Sequence, residues 1–177
     1  MKERAKTPQS SETIEKAIFK PDGPYLKALI VMSLFALANS SDTFILLRLN
    51  DRGFDYGSVA LAYALQTFVY AAASYPFGVL SDRIGRIPIL VGGWLLYAAV
   101  YLAMAMVGGI ALWPVMALYG IYLAANDGVG KALIADVAPK KARGTAMGLF
   151  YMVTGFATLF SSLIAGELWD HVGHASP

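Results

Sequence analysis

The sequence predicts an all-α membrane protein of five transmembrane helices, and three observations carry that prediction. Of 177 residues, 57% are hydrophobic and only 15% are charged, where soluble domains carry about a quarter. The charges avoid four long stretches: residues 28–47 contain only Asp42, and 57–81, 87–126 and 145–166 contain none. Each reaches the ~20 residues that cross a hydrocarbon core. Finally, Lys and Arg are segregated: assigning alternate loops to one side of a membrane leaves all of them together except Arg48 and Arg52.

Residues 1–25 read as a cytoplasmic tail or linker. Lys2, Arg4, Lys6, Lys16 and Lys20 alternate with Glu3, Glu12, Glu15 and Asp22, and Pro8, Pro21 and Pro24 break any long helix. No apolar core follows a short basic start, so a removable signal peptide is not expected. The membrane domain occupies residues 26–170, with spans at 26–48, 57–80, 87–107, 111–131 and 144–168. The third and fourth spans come from one apolar stretch of twice the needed length, which Gly108, Gly109 and Pro114 divide into a hairpin. Residues 171–177 form an outer tail. Because cytoplasmic segments concentrate Lys and Arg, the amino terminus is expected inside and the carboxyl terminus outside. Trp113 and Trp169 then fall at outer helix ends, and Tyr25 and Tyr75 near inner ones.

The loop after the second span reads Gly78-Val-Leu80-Ser81-Asp82-Arg83-Ile84-Gly85-Arg86, with two glycines that permit a tight reversal and three charges within five residues. It resembles the signature loop of the major facilitator superfamily, G-x-L-[AS]-D-R-x-G-R-[RK], with Ile87 in place of the last basic residue and Pro88 at a helix start, where proline is tolerated. A second segment, Asp136-Val-Ala-Pro139-Lys140-Lys141-Ala-Arg143-Gly144, is similar to the turn that precedes the fifth helix of a six-helix half in that family. The likeness extends from Leu26 to Asp170. The fourth span lacks arginine and the tail resembles the linker between halves, so the chain is expected to be the second half of such a transporter, without its last helix.

The resemblance implies a secondary transporter that moves a small solute, with proton coupling as one mode, by rocking two halves about a central site. It implies a plasma or bacterial inner membrane as the setting. It gives Gly78, Asp82, Arg83, Gly85, Arg86, Asp136 and Arg143 a gating role, with Asp82 near the amino end of the fifth span at Gly144 and Thr145. Because five spans do not enclose a two-half cavity, a missing half or a partner copy is expected. The alternative is a non-transporting truncated membrane protein, or a module that pairs with another transporter half.

Polar residues inside spans are costly, about 2.5–3.5 kcal/mol for a central Asp on insertion scales, and should face protein or water. Asn39, Ser40, Ser41 and Asp42 form the densest such group. Two roles stay open for Asp42: a helix end or ion pair with Arg48 or Arg52, and a cation or proton site. Tyr119, Tyr122 and Asn126 recur at helical spacing and share a face. Gln66 and Thr154 lie near mid-depth of their spans. All are candidates for solute or proton contact, and interhelical hydrogen bonding is the competing role for each. Asp127 and Lys131 are spaced for a local ion pair. Gly120, Ala124, Gly128 and Ala132 form a small-residue stripe that permits close helix packing, and the fifth span carries another along Gly144, Gly148, Gly155, Ser162 and Gly166.

Other chemistries are not supported. The chain has no cysteine, which excludes thiolate metal sites and thiol nucleophiles. His171 and His174 have no companion ligand, and no phosphate-binding glycine loop occurs, so neither metal nor cofactor is expected. Basic residues diluted by acids exclude a nucleic-acid partner. No nucleophile and base, or pair of carboxylates, is assembled within the spans, so an enzyme is not expected.

Overall fold

A computed structural model of the chain describes residues 21–39 and 42–172. The described residues form six helices and no strand: α1 (Gly23–Ala38), α2 (Asp42–Asp51), α3 (Tyr56–Ile84), α4 (Arg86–Met106), α5 (Leu112–Val137) and α6 (Arg143–Val172), with short 3-10 turns at Gly109–Ala111 and Lys140–Ala142.

The first span, expected as one helix over 26–48, is instead broken. α1 starts where the Asp22 carboxylate accepts from the Tyr25 backbone N–H at 3.1 Å, with Pro24 in the first turn. It ends at Asn39, whose φ of −104° and ψ of 103° are extended, and α2 starts at Asp42. The reason lies in the residue types: Ser, Asn and Asp bond competitively to nearby backbone and favour helix ends over helix interiors. The polar cluster is therefore where the helix stops, and the Asp42 side chain lies outside the described residues.

Asp55 caps α3. Its carboxylate accepts from the Gly57 N–H at 3.0 Å and from the Ser58 hydroxyl. The Ser58 hydrogen bond, helped by the backbone N–H groups, holds the Asp55 carboxyl below its ordinary range. A carboxyl lowered on folding stabilises above its unfolded pKa of about 4 and loses that contribution as pH falls through the lower folded value. Hydrogen exchange at residues 56–59 should accordingly be flat above about pH 5 and rise in stronger acid, after correction for the intrinsic rate; Asp55→Ala should raise it at neutral pH. Unchanged exchange in the variant would show the cap to be idle.

The other loops are equally tight. Gly85, at φ 97° and ψ 156°, occupies backbone space essentially reserved for glycine and turns the chain directly from α3 into α4. Gly78, expected to share in that reversal, is instead inside α3, with its carbonyl accepting from the Ser81 hydroxyl at 2.8 Å. At the far end of α4, Arg52 donates to the Ala105 carbonyl at 2.8 Å, a cation on the negative end of that helix.

α5 is the central helix. It packs most extensively on α3 and α4 and also touches α1 and α6, while α1 and α6 pack on each other. Two buried clusters follow its length. Near the loop between α3 and α4, Tyr25, Leu29, Ile89, Leu90, Val129, Ile134 and Phe150 meet; towards the other end, Ile45, Leu49, Val100, Met104, Leu112, Met116, Tyr119 and Tyr122 meet. Tyr25, expected at an interface, is completely buried, and its hydroxyl donates to the Ala146 carbonyl at 2.8 Å, tying α1 to α6.

The periphery is apolar instead of charged. Phe68, Leu95, Leu102, Phe156, Leu159, Phe160, Leu163 and Ile164 are all more than half exposed, an amount of exposed apolar side chain that water does not tolerate and a bilayer does. α4, residues 109–137 and residues 140–168 are long and apolar enough to cross a membrane. α3, with 29 residues, has the length, but Gln66, Pro76 and several tyrosines and serines lower its apolarity.

Candidate functional site

The two segments of the signature meet at one guanidinium. Arg86, the first residue of α4, places Nη1 2.6 Å from the Asp82 carboxylate and 2.6 Å from the Ser81 hydroxyl, while Nε donates to Asp136 at 3.1 Å. The ends of α3 and α5 and the start of α4 are thereby joined. Its planar fork of donors suits this three-way role in a way an ammonium does not. Ser81 is 1% exposed, so its hydroxyl fixes one edge of the guanidinium from the protein side, and the two carboxylates hold it from the solvent side. Asp82 pairs with Arg86, whereas the resemblance implied the amino end of α6; α6 packs on α1 and α5 and not extensively on α3, among the described residues. Arg83, in the last turn of α3, and Arg143, at the start of α6, are exposed. No ion pair is formed by either among the described residues.

A second, polar assembly lies where three helices meet. A cavity of about 190 Å³ opens between α1, α5 and α6, and Asn39, Asn126 and Thr154 line it together, with Asp127, Lys131, Phe35 and Phe150. Each polar group is anchored. Asn39 Nδ2 donates to the Tyr122 hydroxyl at 3.0 Å, across the α1–α5 contact. The Trp94 indole N–H donates to Asn126 Oδ1 at 3.0 Å, which fixes the orientation of that amide because an indole only donates. Thr154 donates to the Phe150 carbonyl one turn earlier at 2.8 Å. Asp127 and Lys131 form the expected pair at 3.6 Å, with both side chains a little under half exposed.

Aromatic rings back this cavity. Phe35 stacks on Trp94 with ring centroids 4.8 Å apart, and Tyr97 meets Tyr122 at 4.9 Å. Such pairs add about 0.5–1.5 kcal/mol each beyond burial. They immobilise the wall on which Asn39 and Asn126 are mounted.

The remaining candidates separate from the cavity. Tyr119 is fully buried against Tyr122, and Gln66 is 3% exposed on α3, whose backbone runs against Gly120 of α5. Both belong to the packing of α5. Trp94 has no periodic signal in the sequence that would mark it, although its indole N–H requires a partner once buried.

Comparisons with known proteins agree with the residues. The family model of the Major Facilitator Superfamily matches residues 28–176. An uncharacterized MFS-type transporter of Methanocaldococcus jannaschii is 38% identical over 149 residues, an alignment covering 80% of this chain and 37% of the relative. The inner membrane transport protein YajR of Escherichia coli is 30% identical over 116 residues, covering 64% of this chain and 24% of the relative. The matched region thus spans little more than a third of the longer-matching relative. No solved structure matches the chain. With the signature loop, the apolar periphery and a family match over most of its length, the chain is an integral, multi-pass membrane protein that belongs to the Major Facilitator Superfamily of transporters.

Proposed function

We propose that these helices are the second half of a secondary transporter, rocking against another half about a small solute held in the mid-depth cavity, with the amino terminus on the cytoplasmic side. The cavity carries the proposal. In a bundle whose exterior is apolar, Asn39, Asn126, Asp127, Lys131 and Thr154 converge from three helices on one opening, and polar groups at membrane depth mark solute pathways. The broken first span supports it, since discontinuous helices build substrate and ion sites in transporters. Asp42, directly after the break, is the proposed proton or cation site.

The other half has a place to dock. Gly144, Gly148, Gly155 and Gly166 of α6 have no heavy atom within 4 Å of an added Cβ, among the described residues, so this stripe leaves a groove open to another helix backbone. The Arg86 cluster, with Gly78, Asp82, Arg83, Gly85 and Asp136, and Arg143 at the start of α6, is the proposed gate.

Alkylation tests this reading. The chain has no native cysteine, so Thr154→Cys introduces one reporter into the cavity. In membranes holding the protein together with its other half, maleimides restricted to either side should each label this position, because alternating access exposes it in turn. Labelling from one side only would make the cavity a static vestibule and overturn the proposal.

A further inference from the structure

We infer that Tyr101 is a positioning residue of the transport cycle: in the opposite access state its hydroxyl takes up the amide oxygen of Asn39. The inference rests on the transporter reading above and goes beyond it.

Among the described residues, two side-chain atoms are buried without a hydrogen-bond partner, Asn39 Oδ1 and the Tyr101 hydroxyl. Both are closed off from any solute, so only a rearranged protein contact pairs them directly. Buried polar groups are nearly always paired, and an unpaired one biases a two-state equilibrium by roughly 5- to 150-fold towards an arrangement that pairs it. These two are complementary. An amide oxygen accepts and a phenol donates; a phenol also accepts, so the match survives exchange of the amide oxygen and nitrogen.

The two groups belong to one cluster. Asn39 is the residue at which α1 ends, and its Nδ2 donates to the Tyr122 hydroxyl at 3.0 Å. The Tyr97 ring lies 4.9 Å from that of Tyr122 and 4.4 Å from that of Tyr101. Its hydroxyl holds the end of α1 only loosely, donating to the Ala38 carbonyl at 3.5 Å, beyond the 2.5–3.0 Å of an ordinary O–H···O bond. Beside this contact is a cavity of about 310 Å³, lined by Leu37 and Ala38 of α1, Tyr97 and Tyr101 of α4, and Ile164 of α6 at its exposed rim.

The end of α1 therefore has room to move, a weak bond to give up and a better one to gain. Asn39 is in extended backbone at the helix end, so its side chain changes place without unwinding a turn. Movement towards Tyr101 withdraws Asn39 from the lining of the solute cavity. That withdrawal couples the new bond to transport.

The test compares labelling rates from the two sides at Thr154→Cys, in membranes holding the protein together with its other half. Tyr101→Phe deletes the unpaired group here and the bond in the opposite state, and both changes favour the described arrangement. The ratio of rates should move at least about fivefold, while the unfolding midpoint holds or rises. Ile164→Trp, at the rim, fills the same cavity and should move the ratio in the same direction. Beside Asn39→Leu, Tyr101→Phe should have no further effect, because the hydroxyl has already lost its acceptor. An unchanged ratio in Tyr101→Phe, opposite shifts in the two variants, or a Tyr101→Phe shift that persists beside Asn39→Leu overturns the inference; the first would leave a trapped water as the partner of both groups. One-sided labelling of Thr154→Cys without further substitution overturns the transporter reading itself, so the two failures are distinguishable.

Discussion

Gly120→Ala should lower unfolding stability by about 1–2 kcal/mol and membrane abundance several-fold, although alanine is the better helix former. A Cβ at Gly120 lies 2.5 Å from the Gln66 backbone oxygen, 3.1 Å from Val69 Cβ and 3.2 Å from the Tyr70 backbone nitrogen. The obstacle is the backbone of α3, which has no rotamer to change, so α3 and α5 must separate along the most extensive contact in the bundle. Overpacking of this kind costs about 1–3 kcal/mol, against a gain of at most ~1 kcal/mol from helix propensity. Two companions fix the interpretation. Gly128 has nothing within 4 Å, so Gly128→Ala should be neutral or stabilising; Gly130 meets Met32 Cε at 2.6 Å, the end of a flexible side chain, so Gly130→Ala should fall between. Measured by denaturant titration in detergent, any other order would show that the α3–α5 approach does not control assembly.

This graded expectation shows what the sequence conveyed and what it withheld. A stripe of small residues is visible in the chain, but Gly120 and Gly128 are equivalent members of it by spacing. Only the position of α3 distinguishes them. Uncharged stretches gave the spans because the bilayer excludes charge, a constraint that acts on each segment alone. The break after Ala38 was harder. The same Asn-Ser-Ser-Asp run reads as an expensive polar patch inside a helix or as the end of one, and the apolar residues that continue on both sides do not decide between them.

The candidate site divides in the same way. Asn39, Asn126 and Thr154 were nameable as polar residues within spans, yet they line one cavity only because α1, α5 and α6 pack together across more than a hundred residues of sequence. Gln66 and Tyr119 satisfy the same sequence criterion and are buried away from this cavity. Polarity at depth locates groups that need a partner. Whether that partner is another helix or a solute depends on which groups remain unsatisfied after packing, as Asn39 Oδ1 does among the described residues.

Arg86→Ala should shift the balance between the two access states about fivefold, read as a change in the ratio of side-restricted labelling rates at Thr154→Cys. The guanidinium bonds Asp82, Ser81 and Asp136 and is about one-fifth exposed, while its two carboxylate partners are more than half exposed. Ion pairs of that exposure contribute about 0.2–1 kcal/mol each. Their joint loss, near 1 kcal/mol, is small against folding but comparable to the few kcal/mol that separate two conformers. Ser81 keeps its bond to the Gly78 carbonyl, so no buried hydroxyl is orphaned and the fold should persist. Removal leaves two carboxylates facing each other without a counter-charge, and the arrangement that separates them gains population. Arg86→Lys restores charge without the fork and should recover part of the shift. Because the partners are solvated, high salt should narrow the gap between wild type and Arg86→Ala. Identical labelling ratios in wild type and Arg86→Ala at low salt would show that the cluster braces a loop and does not gate.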